Sequence, residues 1–210
     1  GGGWWAARWD DGLRWGGLAG AEGPAPKRGV GPLGGGWGLA FRPPLNRGAG
    51  HNGQSTVTEV GAAILPALKS TEAFATGGNL NHDIGVPLTL LRLRASHQVG
   101  VVELGMNHPG EIAYLSALVR PAVALINNAQ REHLDFMATV EAVARENGSV
   151  LQSLDARGVA VFPADDDYTA LWRGLAGSRR VLTFAFSGTA AVPASAGWNG
   201  DSWQVAAQPP

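Results

Sequence analysis

The chain has 210 residues, 45% of them hydrophobic and 16% charged, with a formal net charge of −1, enough for one α/β domain with a core, or one domain plus an appendage. That balance holds no basic excess for a nucleic-acid partner and no acidic run for a tail. The absence of cysteine excludes a disulfide framework, a thiolate metal site and a Cys nucleophile, and fits a cytoplasmic setting. No apolar run is long enough to span a bilayer and no charged start precedes an apolar stretch, so neither membrane insertion nor a signal peptide is expected. The first residue is Gly1 rather than Met, which predicts a start other than the natural initiator.

Composition divides the chain near residue 50. The first 50 residues hold 16 of the 31 glycines and five of the eight tryptophans (Trp4, Trp5, Trp9, Trp15, Trp37), with Pro24, Pro26, Pro32, Pro43 and Pro44 among them. No window there keeps a helical or strand period, and Gly34-Gly35-Gly36 raises the entropy cost of ordering. Residues 1–48 therefore read as an irregular segment. A Trp/Gly-rich binding arm, a disordered linker and an out-of-frame translation of a GC-rich gene are the three readings, and the last is favoured. Arg42-Pro43-Pro44-Leu45-Asn46-Arg47 is expected to be unable to form a central strand.

From residue 49 onward the pattern is that of a folded domain. Gln54–Leu68 reads as a helix whose apolar face carries Val57, Val60, Ala63, Ile64 and Leu68. A helix over Leu88–Leu93 follows an ordered polar loop, and Val99–Leu104 is a buried-strand run stopped by Gly105. Glu111–Val119 is a helix between Pro109-Gly110 and Pro121. A strand at Ala122–Ile126, a helix at Thr139–Leu154 and a strand at Gly158–Phe162 come next. A helix at Asp166–Leu175, a strand at Arg180–Phe184 and an edge strand at Trp203–Ala207 complete the set. Strands alternating with helices of these lengths predict an α/β fold, a mostly parallel sheet with helices on both faces.

Ligands of such sheets bind outside the carboxyl ends of the strands. Glu103 ends one predicted strand, Asn127 and Asn128 follow the next, and Asp165 follows the third. Gly50-His51-Asn52-Gly53-Gln54-Ser55-Thr56 sits just ahead of a helix, where a Gly-rich turn aims backbone N–H groups at an anion and the helix dipole favours negative charge. Ser55 could place its hydroxyl on Mg²⁺, although Gln54 stands where a G-K-[ST] motif has lysine; a capped helix start without ligand is the competing reading. In Thr76–Pro87, the amides of Asn79 and Asn81 suit a neutral polar ligand, and a plain turn is the alternative. Glu103 offers a hard oxygen for Mg²⁺ near nucleotide phosphates, and His133 is a candidate to face the same crevice.

Together, the blocks at 50–56, 76–87, 103–111 and 127–134 resemble the central domain of the Mur ligases, in their MurF branch, over residues 49–210. The resemblance implies a P-loop-type fold, truncated at the C-terminus. It also implies an ATP-dependent carbon–nitrogen ligase of peptidoglycan precursor synthesis, which activates the carboxylate of UDP-N-acetylmuramoyl-tripeptide as an acyl phosphate for attack by the amine of D-alanyl-D-alanine. ATP and Mg²⁺ are the implied cofactors, and a monomer is expected. By that carry-over Gly50, His51, Asn52, Gly53, Gln54, Ser55 and Thr56 surround the phosphates, and Asn128 serves the nucleotide. Asn79 and Asn81 serve the precursor, while Ser55, Glu103 and His133 serve the metal. The catalytic positions are Gln54, His133 and Asn147; Gln54 stands for the phosphate-binding lysine and Asn147 for a carbamoylated lysine. The only lysines are Lys27 and Lys69, and the family's flanking domains, an N-terminal one for uridine and a C-terminal one for the amine, are not expected here, so the isolated chain is expected to be inactive. A non-catalytic nucleotide- or precursor-binding remnant and a folylpolyglutamate synthase-like ligase are the alternatives.

Overall fold

The computed structural model describes residues 45–49, 54–69, 72–130, 137 and 139–208, without the side chains of 45–49 and 65–69. Most of residues 1–48, together with 50–53 and 131–136, lie outside that set. Among the described residues, eight strands form one sheet in the order β2-β3-β1-β4-β5-β6-β7-β8. They are β1 Leu45–Ala49, β2 Ala73–Ala75, β3 Val99–Glu103, β4 Val123–Ile126, β5 Val159–Pro163, β6 Arg180–Ala185, β7 Val192–Trp198 and β8 Trp203–Ala207. Pairing is parallel from β2 through β7, and only β7–β8 is antiparallel. Among the described residues, five helices connect them: α1 Gln54–Lys69, α2 Gly85–Leu91, α3 Glu111–Val119, α4 Val140–Gln152 and α5 Thr169–Ala176.

The strand β1 overturns an expectation. It lies between β3 and β4, pairing Gly48 with both Glu103 and Leu125. The prolines that argued against a strand stop at Pro44, one residue before it. Every residue from 45 to 49 keeps its N–H, so the ladder can form on both sides. The expected boundary between residues 48 and 49 thus falls inside a strand.

Helix α1 presents a different face from the one its apolar spacing predicts. Val57, Val60 and Ile64 are 37%, 51% and 49% exposed, while Gln54 and Thr58 are buried; Ala63 is exposed as well. The stripe 54, 58, 61 faces the sheet, where a Cβ on Gly61 would meet Val101 Cγ2 at 3.6 Å. Small residues on that stripe let the helix approach β3 closely, and closeness decides the face over hydrophobic spacing. Leu68 lies outside the described side chains.

Helix α2 begins at Gly85, three residues before its expected start. Pro87 sits in the first turn, where its missing N–H has no intrahelical partner to lose. Gly85 is required, because a Cβ would stand 2.5 Å from the Leu80 backbone. Helix α3 matches its predicted span, with Gly110 at φ +90° as its cap. Thr139 caps α4 by accepting from Ala142 N at 3.1 Å. The core joins α2, α3, α4 and α5 to the sheet through Leu90, Ile112, Leu115, Ile126, Leu151 and Phe162. Trp172 of α5 is wholly buried and donates its indole N–H to Ala144 O at 2.9 Å, so its one polar atom is satisfied.

Candidate functional site

The chain runs from β3 across β1 to β4, so the strands leaving β1 diverge to either side of it. Open α/β sheets bind ligands at such a switch point, outside the carboxyl ends of the strands. Glu103 is the last residue of β3, Asn127 follows β4, and Gln54 and Ser55 open α1. One topological feature therefore gathers residues that the sequence places far apart.

Glu103 is the junction. It is 4% exposed, and its Oε1 accepts from Ser55 Oγ at 3.2 Å and from Asn81 Nδ2 at 2.8 Å. Its backbone N–H donates to Thr76 Oγ1 at 2.9 Å, which ties the end of β3 to the loop after β2. Gly105 N donates to Asn81 O at 2.7 Å, and a Cβ on Gly105 would stand 2.8 Å from His82 Cε1 and 3.0 Å from Asn81 Nδ2. Only glycine at 105 lets the Asn81 loop close on the carboxylate. Gln54 donates its side-chain amide to Leu104 O. Two consecutive residues of α1 are thus stitched to the exit of β3.

Around this junction, carboxylates hold the next loop. Glu111 Oε2 accepts from Asn107 N and His108 N at 2.6 and 3.1 Å. Glu146 of α4 accepts from Gly110 N at 2.9 Å and Ile112 N at 2.8 Å, clasping the start of α3. Asn147 is 1% exposed, with its Nδ2 3.5 Å from Asn128 O. Beyond β4 and β5 lies a cleft of about 690 Å³ lined by Ala129, Gln130, Val140, Asp165, Asp166, Asp167 and Tyr168. Of its three carboxylates, only Asp165 is expected there as a residue following a strand; the run of three aspartates is the signal for the other two. Asp165 Oδ2 accepts from Phe186 N at 2.9 Å and Ser187 N at 3.1 Å, fixing the turn after β6.

The Mur ligase middle domain family matches residues 49–206. The chain belongs to the Mur ligase family. The UDP-N-acetylmuramoyl-tripeptide–D-alanyl-D-alanine ligase of Escherichia coli (strain K12) is 42% identical over 136 residues, covering 65% of this chain and 30% of that protein. The crystal structure of MurF from Acinetobacter baumannii superposes with a TM-score of 0.81 at 33% identity, covering 86% of this chain and 40% of that one. MurF ligase from Thermotoga maritima in complex with ADP gives a TM-score of 0.75 at 24% identity, a likeness of fold, covering 86% of this chain and 41% of that one. The chain therefore spans well under half the length of these relatives.

Within this Mur ligase domain, Gln54, Ser55, Asn81 and Glu103 stand together. Asn128 and Asn147 form a neighbouring pair, while Thr56 and Asn79 are exposed. Gly50, His51, Asn52, Gly53 and His133 lie outside the described residues. Among the described residues, no group of three or more His, Cys, Asp or Glu is arranged to hold a metal ion by itself. A Mg²⁺ ion nonetheless fits the donor chemistry at Glu103. Its Oε2 accepts no hydrogen bond among the described residues, and a hydroxyl oxygen lies beside its Oε1. No helix among the described residues is long and apolar enough to cross a membrane.

Proposed function

We propose that residues 49–210 are the ATP-binding domain of a MurF-type ligase. Its reaction joins D-alanyl-D-alanine to UDP-N-acetylmuramoyl-tripeptide through an acyl phosphate, in the cytoplasm and as a monomer. The observation that carries this reading is the Ser55–Glu103–Asn81 junction, where one buried carboxylate oxygen holds the helix start on one side and an amide loop on the other. The helix start offers N–H groups and a favourable dipole to phosphates. Ser55 and Glu103 would hold Mg²⁺, which neutralises phosphate charge when bound. Gly50, His51, Asn52, Gly53 and Thr56 belong to the phosphate side, Asn128 to the nucleotide, Asn79 and Asn81 to the precursor, and His133 to the metal. Glu103 fixes Ser55 and Asn81 in mutual register, and Asn81 turns its donor inward to do so.

The test is calorimetric titration of the chain with ADP, with and without Mg²⁺. Mg²⁺ should tighten ADP binding in the parent chain, and Glu103→Gln should remove that effect while binding ADP without Mg²⁺ at least as tightly as the parent, since it removes a buried negative charge. Equal Mg²⁺ dependence in both proteins would move Glu103 out of the metal site. A second reading, a nucleotide-binding remnant without turnover, is favoured by Gln54. Its amide is turned onto Leu104 O, and it brings no charge to a phosphate. Binding without phosphate release in a form carrying both flanking ligase domains would support it.

A further inference from the structure

Arg92 follows α2 and stands apart from the junction just described. Its guanidinium lies 5.7 Å from the centroid of the Phe74 ring. Its Nη1 lies 3.1 Å from where a Cβ on Gly77 would be, so any other residue at 77 would press on it. The side chain is exposed, and no carboxylate is ion-paired with it among the described residues. By contrast, Arg145 is paired with Glu141 at 2.7 Å, and Arg179 spends its donors on Leu154 O, Ala176 O and Gln152 O. Arg92 thus lies over an aromatic face and beside a glycine, and no hydrogen bond or ion pair takes its guanidinium donors among the described residues.

Its position gives those donors a target. Gly77 adjoins Thr76, whose Oγ1 takes the Glu103 N–H, and the same loop continues to Asn81 on the Glu103 carboxylate. Arg92 therefore borders the amide loop at its Gly77 end. A planar guanidinium matches a carboxylate with two parallel N–H donors, and the Phe74 face attracts the cation to the edge of the loop.

We propose that Arg92 is a specificity residue that binds a peptide carboxylate at the rim of the Asn81 loop, where it lies over Phe74 and beside Gly77. This rests on the reading of that loop as the precursor side of a Mur ligase site. Both substrates of that reaction bring carboxylates, so the experiment separates them. Arg92→Gln and Arg92→Lys chains would be titrated with UDP-N-acetylmuramoyl-tripeptide, with D-alanyl-D-alanine, with the amide-capped form of each, and with Mg²⁺·ADP. For one of the two free carboxylates, Arg92→Gln should raise Kd about tenfold, a typical loss for one charge-assisted bond. Arg92→Lys should recover only part of that loss, since an ammonium lacks the fork. The amide-capped form should bind parent and variants alike, as should Mg²⁺·ADP. The peptide that shows the difference identifies the source of the carboxylate. Equal loss for free and capped peptides would make Arg92 a structural residue, and no effect on either, or no peptide binding by the parent, would overturn the proposal. Mg²⁺·ADP reports separately on the nucleotide reading, so its failure and this one are distinguishable.

Discussion

Gln54 and Glu103 are neighbours with opposite consequences for an anionic ligand. Glu103 brings a buried negative charge to the crevice, and Gln54 brings none to offset it. A lysine at 54 would add a cation near phosphates, where the effective dielectric lies well below that of water. Gln54→Lys should therefore tighten ADP binding by roughly tenfold at low salt, with the gain shrinking as ionic strength rises. Titration at two salt concentrations checks this, and a salt-independent gain would point to packing instead of charge. Gln54→Leu asks a separate question, because it leaves Leu104 O without that donor. An unsatisfied buried carbonyl costs about 1–3 kcal/mol, read as a lower urea midpoint at unchanged slope. Tyr114 supplies a pH prediction. Burial raises its pKa above 10.0, and the Asp83 carboxylate adds to the rise. The folded state therefore holds that proton more tightly, a contribution fully present below pH 10 and lost as pH climbs through the raised folded value. Tyr114→Phe should flatten the fall in stability measured above pH 10. Such residue-level chemistry was only half legible in the sequence. Glu103 at a strand end announced itself, but the turn of Gln54 onto Leu104 O depends on how close α1 lies to β3, which no spacing encodes.

Elements with a strong period and clear stops were readable, as α3 shows. Glu111–Val119 is bounded by Gly110 and Pro121, and its structure starts and ends where the sequence says. Strand β7 was not readable, because Val192-Pro193-Ala194-Ser195-Ala196-Gly197-Trp198 carries a proline, a glycine and small residues that favour no strand by themselves. It exists through pairing with β6 on one side and β8 on the other. Helix α1 was found but read with the wrong face inward. That error is testable, since Val60→Gln should change stability by no more than about 0.5 kcal/mol, as expected of an exposed site. The contrast is the α4–α5 contact, where a Cβ on Gly148 would run into Leu175 Cδ1 and stand 3.1 Å from Trp172 Cδ1. Gly148→Ala should cost about 1–3 kcal/mol by overpacking. Chemical denaturation of both variants beside the parent checks the pair. A large loss at Val60 with none at Gly148 would reverse the assignment of faces.

At the scale of the whole molecule, the sheet depends on β1 far more than on its last hairpin. Among the described residues, strand pairing between the half of the sheet containing β2 and β3 and the half from β4 onward runs only through residues 45–49, beside the core that packs helices across both. The hairpin of β7 and β8 touches the rest of the sheet at its edge, through the pairs Phe184–Val192 and Ala185–Pro193. All five residues of β8 are exposed, and Trp198 packs on Trp203 across the hairpin rather than into the core. A proline at Arg47 would remove one ladder hydrogen bond from the middle strand and set its ring against a neighbouring backbone, at a cost of about 3 kcal/mol or more. That is a large share of the 5–15 kcal/mol that holds an ordinary domain together. Arg47→Pro should therefore abolish the cooperative thermal transition of the whole chain. Ending the chain at Ser187 should keep a cooperative transition, because the wholly buried set of Leu90, Ile112, Leu115, Ile126, Phe162 and Trp172 lies entirely before that point. Calorimetry of the two variants decides the matter. Cooperative unfolding retained in Arg47→Pro would show that residues 45–49 are dispensable to the sheet, and its two halves would then have to be stable without the strand that joins them.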